Sequence, residues 1–142
     1  MSANWDAAEG SFASRVSSLS ERIEVRAAGD EAARDEIFRL RYHAYRKEGA
    51  IAARPDKRFE DAFDHTPNVR IFGLYLDGIL ASSVRVHVAS RDFPQSPALA
   101  VFADILRPVI DRNGIVVDPT RLVSDPSLSA DMPGLSYLTV RL

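Results

Sequence analysis

Asp77-Gly78 separates two runs, 69–76 and 79–89, that are rich in β-branched, aromatic and leucine residues. This dipeptide supplies the positive φ angles that a two-residue hairpin turn requires, so an antiparallel hairpin stands at the centre of the predicted fold. Along the second run a period of two places Leu80, Val84, Val86 and Val88 on one face and Ser83, Arg85 and His87 on the other. The alternation predicts an apolar core face and a polar opposite face.

The segments around the hairpin read as a mixed α/β layout in one domain, 1–142, with no repeat or linker to divide it. Phe12, Val16 and Leu19 fall at helical spacing and predict an N-terminal helical arm over residues 1–20. Glu21 to Ala27 alternates Ile23 and Val25 with charged neighbours, as a short strand does. A helix is expected from Asp30, its N-cap, to the basic pair Arg46 and Lys47 before Gly49. Ile37, Leu40 and Ala44 interleave there with Phe38, Tyr42 and Tyr45 to make one broad buried face. Residues 50–68 read as a charged loop with one helical turn, and 98–106 as a short helix ended by Pro108. After the turn at Asn113-Gly114 a last strand runs from Ile115 to Val123. Its Pro119 has no N–H for the ladder, which predicts a bulge or a strand end at that residue. Ser124 to Met132 reads as a loop, and a helical pattern begins at Leu135 and breaks off at Leu142, so an incomplete C-terminus is expected.

Composition narrows the function classes. The 18 basic and 20 acidic side chains are mixed along the chain and leave a net charge of −2, which disfavours a nucleic-acid partner. With no cysteine, thiolate metal sites and cysteine nucleophiles are excluded, and a cytoplasmic setting is expected. No apolar run approaches the roughly 20 residues of a membrane span. There is no GxGxxG, Walker loop, GxSxG elbow or HExxH spacing, so no metal site is expected.

The remaining candidates are charged residues in unusual places. Asp61 and Asp64, flanking Phe63, have the i, i+3 spacing to hold a cationic group or an arginine, or to form a solvated acidic turn. Arg85 lies in a valine-rich strand, where a covered guanidinium demands a partner carboxylate. His87 reads as a structural histidine, and Tyr42 and Tyr45 as core tyrosines beside a solvated Arg41. In Asp118-Pro119-Thr120-Arg121 regular pleating sends Asp118 and Arg121 to opposite faces, whereas a bulge at Pro119 gathers both charges into one cleft. A bulge also frees a backbone N–H to meet the charge that develops on a thioester oxygen during acyl transfer.

The stretch Phe38-Arg39-Leu40-Arg41-Tyr42, the pair Asp61 and Asp64, Val84-Arg85-Val86, Phe102, and Val117-Asp118-Pro119-Thr120-Arg121-Leu122-Val123 together resemble the N-acyl amino acid synthases. These are relatives of the acyl-homoserine lactone (autoinducer) synthases within the GNAT acyltransferase fold. The resemblance spans roughly residues 21–142 and implies a GNAT-like α/β domain with a mostly antiparallel sheet flanked by helices. It implies transfer of a long-chain acyl group from the phosphopantetheine thioester of an acyl carrier protein, or from acyl-CoA, to the amine of an amino acid. No cofactor would be held permanently; the acyl thioester would be a co-substrate, and the partners would be an acyl carrier protein and an amino acid. By carry-over, Asp118 and Arg121 are the expected catalytic pair, with Asp118 as proton acceptor. Asp61, Asp64, Arg85, Phe102 and Arg41 are the expected substrate-binding residues. Two other readings stay open: a GNAT N-acetyltransferase that uses acetyl-CoA on a small amine, and a GNAT-like sensory or interaction domain without turnover. The absence of a Q/RxxGxG/A loop in 124–134 disfavours ordinary acetyl-CoA use.

Overall fold

The structure, a computed structural model, describes residues 11–132 and 134–141. Residues 1–10 of the expected arm therefore lie outside the described residues, and the arm begins as helix α1, Phe12–Ser20, capped by Ser11. The other elements follow in order: β1 (Ile23–Ala27), α2 (Glu31–Lys47), a 3₁₀ turn (Ala62–His65), β2 (Val69–Leu76), β3 (Ile79–Ala89), α3 (Pro97–Val101), α4 (Ala103–Asp111), β4 (Val116–Ser124), α5 (Pro126–Ser129) and α6 (Leu135–Val140). The four strands form one antiparallel sheet in the order β1-β2-β3-β4.

Local chemistry explains most of these boundaries. Asp77 and Gly78 take φ values of 49° and 84°, closing the β2–β3 hairpin as a two-residue turn. The Asp30 side chain accepts the Ala33 N–H at 2.8 Å to cap α2, and Gly49 at φ 71° follows the C-terminus. Pro108 does not end the expected short helix. The segment is two helices that kink at Phe102, and α4 continues through Pro108 to Asp111. The carbonyl deprived of a donor is that of Asp104, an exposed residue whose oxygen water can satisfy. The expected loop 124–132 contains the short helix α5.

The sheet faces are assigned the other way round from the expectation. Val69 lies opposite His87 and Ile71 opposite Arg85, and both apolar partners belong to the core with Ile37, Phe38 and Leu40 of α2. Cross-strand partners share a face, so Arg85 and His87 point into the layer between the sheet and α2. Leu80 joins that side because a register shift pairs Tyr75 with Leu80 and Leu74 with Ser82, leaving Ala81 as the extra residue of a bulge. Val84, Val86 and Val88 occupy the opposite face. There α1 and α6 cover one end through Leu19, Leu76, Ala81 and Leu135. At the uncovered end Val88 is 41% and Val117 62% exposed. A polar row can be the buried one here because its charges find partners across the layer.

Candidate active site

The buried row meets the 3₁₀ turn. Asp61 caps this turn by accepting the Phe63 N–H at 2.9 Å, and Asp64 reaches back to accept the Asp61 N–H at 2.9 Å. The i, i+3 spacing of the two carboxylates is thus a capping box, which fixes both side chains and leaves their remaining lone pairs for arginines. Arg41 Nη1 donates to Asp64 Oδ1 at 2.8 Å, and Arg85 Nη1 lies 3.1 Å from the same oxygen. Arg85 Nη1 also donates to Asp61 Oδ1 at 2.6 Å, and Arg121 donates Nη2 and Nε to Asp61 Oδ2 at 2.6 and 3.2 Å. The result is an alternating row, Arg41, Asp64, Arg85, Asp61, Arg121, that starts wholly buried and ends with Arg121 one-third exposed.

Arg41 is therefore not the solvated residue expected beside the core tyrosines: it is fully buried, and its Nε and Nη2 have no hydrogen-bond partner among the described residues. Burial pulls its guanidinium below the ordinary value, against the opposing pull of Asp64. The acidic turn is likewise not a solvated one, since Asp64 is completely covered. At the outer end partial burial opposes the charge of Asp61, but hydrogen bonds from Arg121 and Arg85 outweigh it and hold the carboxyl below its usual range. Burial also opposes the Arg121 charge, and the bonds to Asp61 and Tyr45 outweigh it and raise that guanidinium. Both members of the outer pair stay ionised.

Arg121 reaches this row through a bulge in β4. Ser83 pairs with Val123 and Arg85 with Thr120, so Arg121 and Leu122 together oppose the single residue Val84. Arg121 has a φ of 54°, the left-handed conformation usual for glycine at the first bulge position. The bulge lies at Arg121 and not at Pro119, which stays in register opposite Val86. Beyond the missing N–H of Pro119, the ladder adapts where the ion pair with Asp61 draws Arg121 inward.

Asp118 lies opposite His87 and Thr120 opposite Arg85, so all four share the buried face. Asp118 and Arg121 both lie on the buried side of the sheet, and no hydrogen bond joins them. Asp118 Oδ2 accepts the Ala98 N–H at the start of α3 at 2.8 Å, and no described residue donates to its other oxygen. Phe102, at the α3–α4 kink, is 53% exposed.

Several contributors escape sequence reasoning. Thr120 accepts Arg85 Nε at 3.0 Å. Arg34 Nη1 donates to the Asp64 carbonyl at 2.7 Å from a groove that also holds Asp30, Glu31 and Glu60. Tyr45 and Phe59 meet edge to face, and the Arg121 guanidinium lies 5.9 and 5.0 Å from their ring centres. The position of Tyr45 one turn after Arg41, and of Phe59 just before the acidic turn, is the signal that marks them.

His87 ties the turn to the sheet: its Nε2 lies 2.9 Å from the Phe63 carbonyl and 3.1 Å from Thr66 Oγ1. Donation to that carbonyl places the proton on Nε2 and leaves buried Nδ1 as an acceptor without a partner among the described residues. Burial depresses its pKa, with the Phe63 carbonyl opposing. A depressed folded pKa means that His87 contributes stability above the unfolded value of about 6.5, and that this contribution is lost as the pH falls below it. Lowering the pH from 7.5 to 5 is expected to reduce the denaturation midpoint, and His87→Gln to flatten that decline. An unchanged slope in the variant would reject the assignment.

Two grooves border the bulge. On the valine face an apolar groove of about 510 Å³ is lined by Val84, Val86, Val117, Pro119, Leu122 and Val140, among others. At the end of β4 a more polar groove of about 610 Å³ runs past Tyr45, Lys47, Leu122, Ser124 and Ser136. Leu122 belongs to both, and its neighbour Arg121 belongs to the ionic row. Among the described residues no helix is long and apolar enough to cross a membrane.

Comparison with known proteins gives a consistent neighbourhood. The family described as N-acyl amino acid synthase FeeM matches residues 36–142, a span that includes every charged residue of the row and Asp118. Among solved structures, that of FeeM, an N-acyl amino acid synthase from uncultured soil microbes, superposes with a TM-score of 0.62 at 17% identity. The match covers 84% of this chain and 62% of that one, and at this identity the likeness is one of acyltransferase fold. No curated protein matches.

Proposed function

Since the chain belongs to the N-acyl amino acid synthase family, we propose that it moves a long-chain acyl group from the thioester of an acyl carrier protein, or of CoA, to the amine of an amino acid. The observation that carries this reading is the convergence at the β4 bulge of an ionic face, an apolar groove and a polar groove. An acyl thioester has an apolar tail and a polar arm, and its carbonyl is attacked by a charged, polar acceptor, so one strand serves all three parts.

In this mechanism the amine nitrogen attacks the thioester carbonyl carbon, the C–N bond forms, and the C–S bond breaks. The departing thiolate is protonated as the amine loses its proton. The acceptor ammonium must first become neutral, and the free oxygen of Asp118 is the acceptor for that proton. Its other oxygen, held by the Ala98 N–H, fixes the carboxylate's direction. The bulge leaves strand backbone out of the ladder beside Arg121, where an N–H stabilises the developing oxyanion. The apolar groove serves the acyl chain.

Incubation with a long-chain acyl carrier protein thioester, a long-chain acyl-CoA or acetyl-CoA, each with mixed amino acids, tests the reading by mass spectrometry of the amides. Long-chain N-acyl amino acids are expected from a long-chain donor. Products from acetyl-CoA alone would replace the assignment with N-acetyl transfer.

A further inference from the structure

Asp118 is aimed by a backbone group outside the sheet. The Ala98 N–H that holds its Oδ2 stands at the start of α3, and α3 is reached from β3 through 90–96, a segment in neither helix nor strand. Pro94 and Pro97 restrict φ there but have no N–H to donate, so they stiffen the chain without fastening it. Within the segment the Ser90 N–H meets the Phe93 carbonyl and the Ser90 hydroxyl accepts the Phe93 N–H, which shapes a turn but does not tie it to the sheet. An exposed bond from Arg91 to the Asp111 carbonyl joins it to α4.

The buried tie is Asn68. Its backbone carbonyl accepts the Val88 N–H at 3.2 Å, which carries the β2–β3 pairing one residue past Val69 and sets Asn68 beside the end of β3. From there its Nδ2 donates to the carbonyls of Val88, Phe93 and Gln95 at 3.1, 3.2 and 2.8 Å. Three converging acceptors demand a short side chain that ends in a donor pair, and an aspartate of the same shape would meet them with oxygen. From Gln95 the path to Ala98 is short and firm: buried Ser96 accepts the Leu99 N–H at 3.1 Å, and Pro97 opens the helix. Val88, gripped by Asn68, lies opposite Val117, the residue before Asp118. Clamp and carboxylate are thus fixed to the same two strands, with 90–98 closing the circuit between them.

Resting on the reading of Asp118 as proton acceptor, we propose that Asn68 is a positioning residue for the reaction: by fastening 90–96 to the sheet it sets where the Ala98 N–H meets Asp118, and so fixes the direction of the free carboxylate oxygen. An aspartate that nothing bonds turns broadly about χ2, and a base displaced by about 1 Å loses on the order of a hundredfold in rate.

The test joins steady-state kinetics, with the long-chain thioester that gives amide product, to amide hydrogen exchange followed by NMR. Wild type, Asn68→Ala, Asp118→Asn and the double variant are compared. Asn68→Ala is expected to lower kcat about ten- to a hundredfold with little change in KM, as loss of transition-state geometry does. In the Asp118→Asn background the same substitution should have little further effect, since the two residues act as one unit. Exchange at the Ala98 amide should quicken in Asn68→Ala by about tenfold or more, while the Ala33 amide, held by Asp30 in the same manner, should not change. Asn68→Gln, which keeps the donors one methylene out of place, is carried through the same measurements in case the alanine variant does not fold. An unchanged kcat, an unchanged Ala98 exchange rate, or an equal loss in both backgrounds overturns this inference and leaves the acyltransferase reading standing. Asp118→Asn within tenfold of wild type overturns the reading of Asp118 and this inference with it.

Discussion

Asp64→Asn is expected to lower the unfolding free energy by about 3–5 kcal/mol, the usual cost of removing one partner from a buried ion pair. Asp64 is the only acid bonded to Arg41 among the described residues, and it also lies against Arg85. Neither guanidinium can reach water, since their side chains are 0% and 2% exposed. The asparagine retains the oxygen for the Asp61 N–H, so the measured loss reports on charge and not on the turn. Asp35→Asn serves as the comparison. Its ion pairs with Arg39 and Arg58 are partly exposed, and a much smaller loss is expected there. Urea denaturation of the two variants in parallel decides the matter: equal losses would mean that the row contributes no more than surface pairs do.

Asp118→Asn is expected to have the largest effect on turnover, a loss of about 10²- to 10⁴-fold, as for removal of a positioned general base. The amide oxygen still accepts the Ala98 N–H, so stability should change by less than about 1 kcal/mol. A variant within tenfold of wild type would remove Asp118 from the proton path.

What could be read before the structure was known is what depends on neighbours in sequence. The hairpin at Asp77-Gly78, the Asp30 cap and the apolar face of α2 all have causes within a few residues, and all are present. Alternation in β3 separates two faces but does not say which one is covered. The valine row invites the name of core, yet the covered row is that of Arg85 and His87, because its partners come from residues 24 positions away, Asp61 and Phe63. The charged pair in the DPTR segment was visible, while the position of its bulge was not. Proline at 119 has an evident local reason to disturb a ladder, and arginine at 121 has none until Asp61, 60 residues earlier, is placed beside it. Arg41 gave no local sign of burial for the same reason, since the acid it bonds, Asp64, is on a separate turn.

The left-handed backbone at Arg121 has a bearing on attempts to make this protein hardier. A residue with a Cβ in that conformation costs about 1–3 kcal/mol that glycine would spare. A consensus or design procedure guided by backbone comfort would put glycine at 121, and the chain would gain ease in the strand while losing the only guanidinium of the row that meets solvent. Backbone ease and the ion pair with Asp61 thus compete at a single codon, and heat tolerance is better sought in the hairpin and the helices.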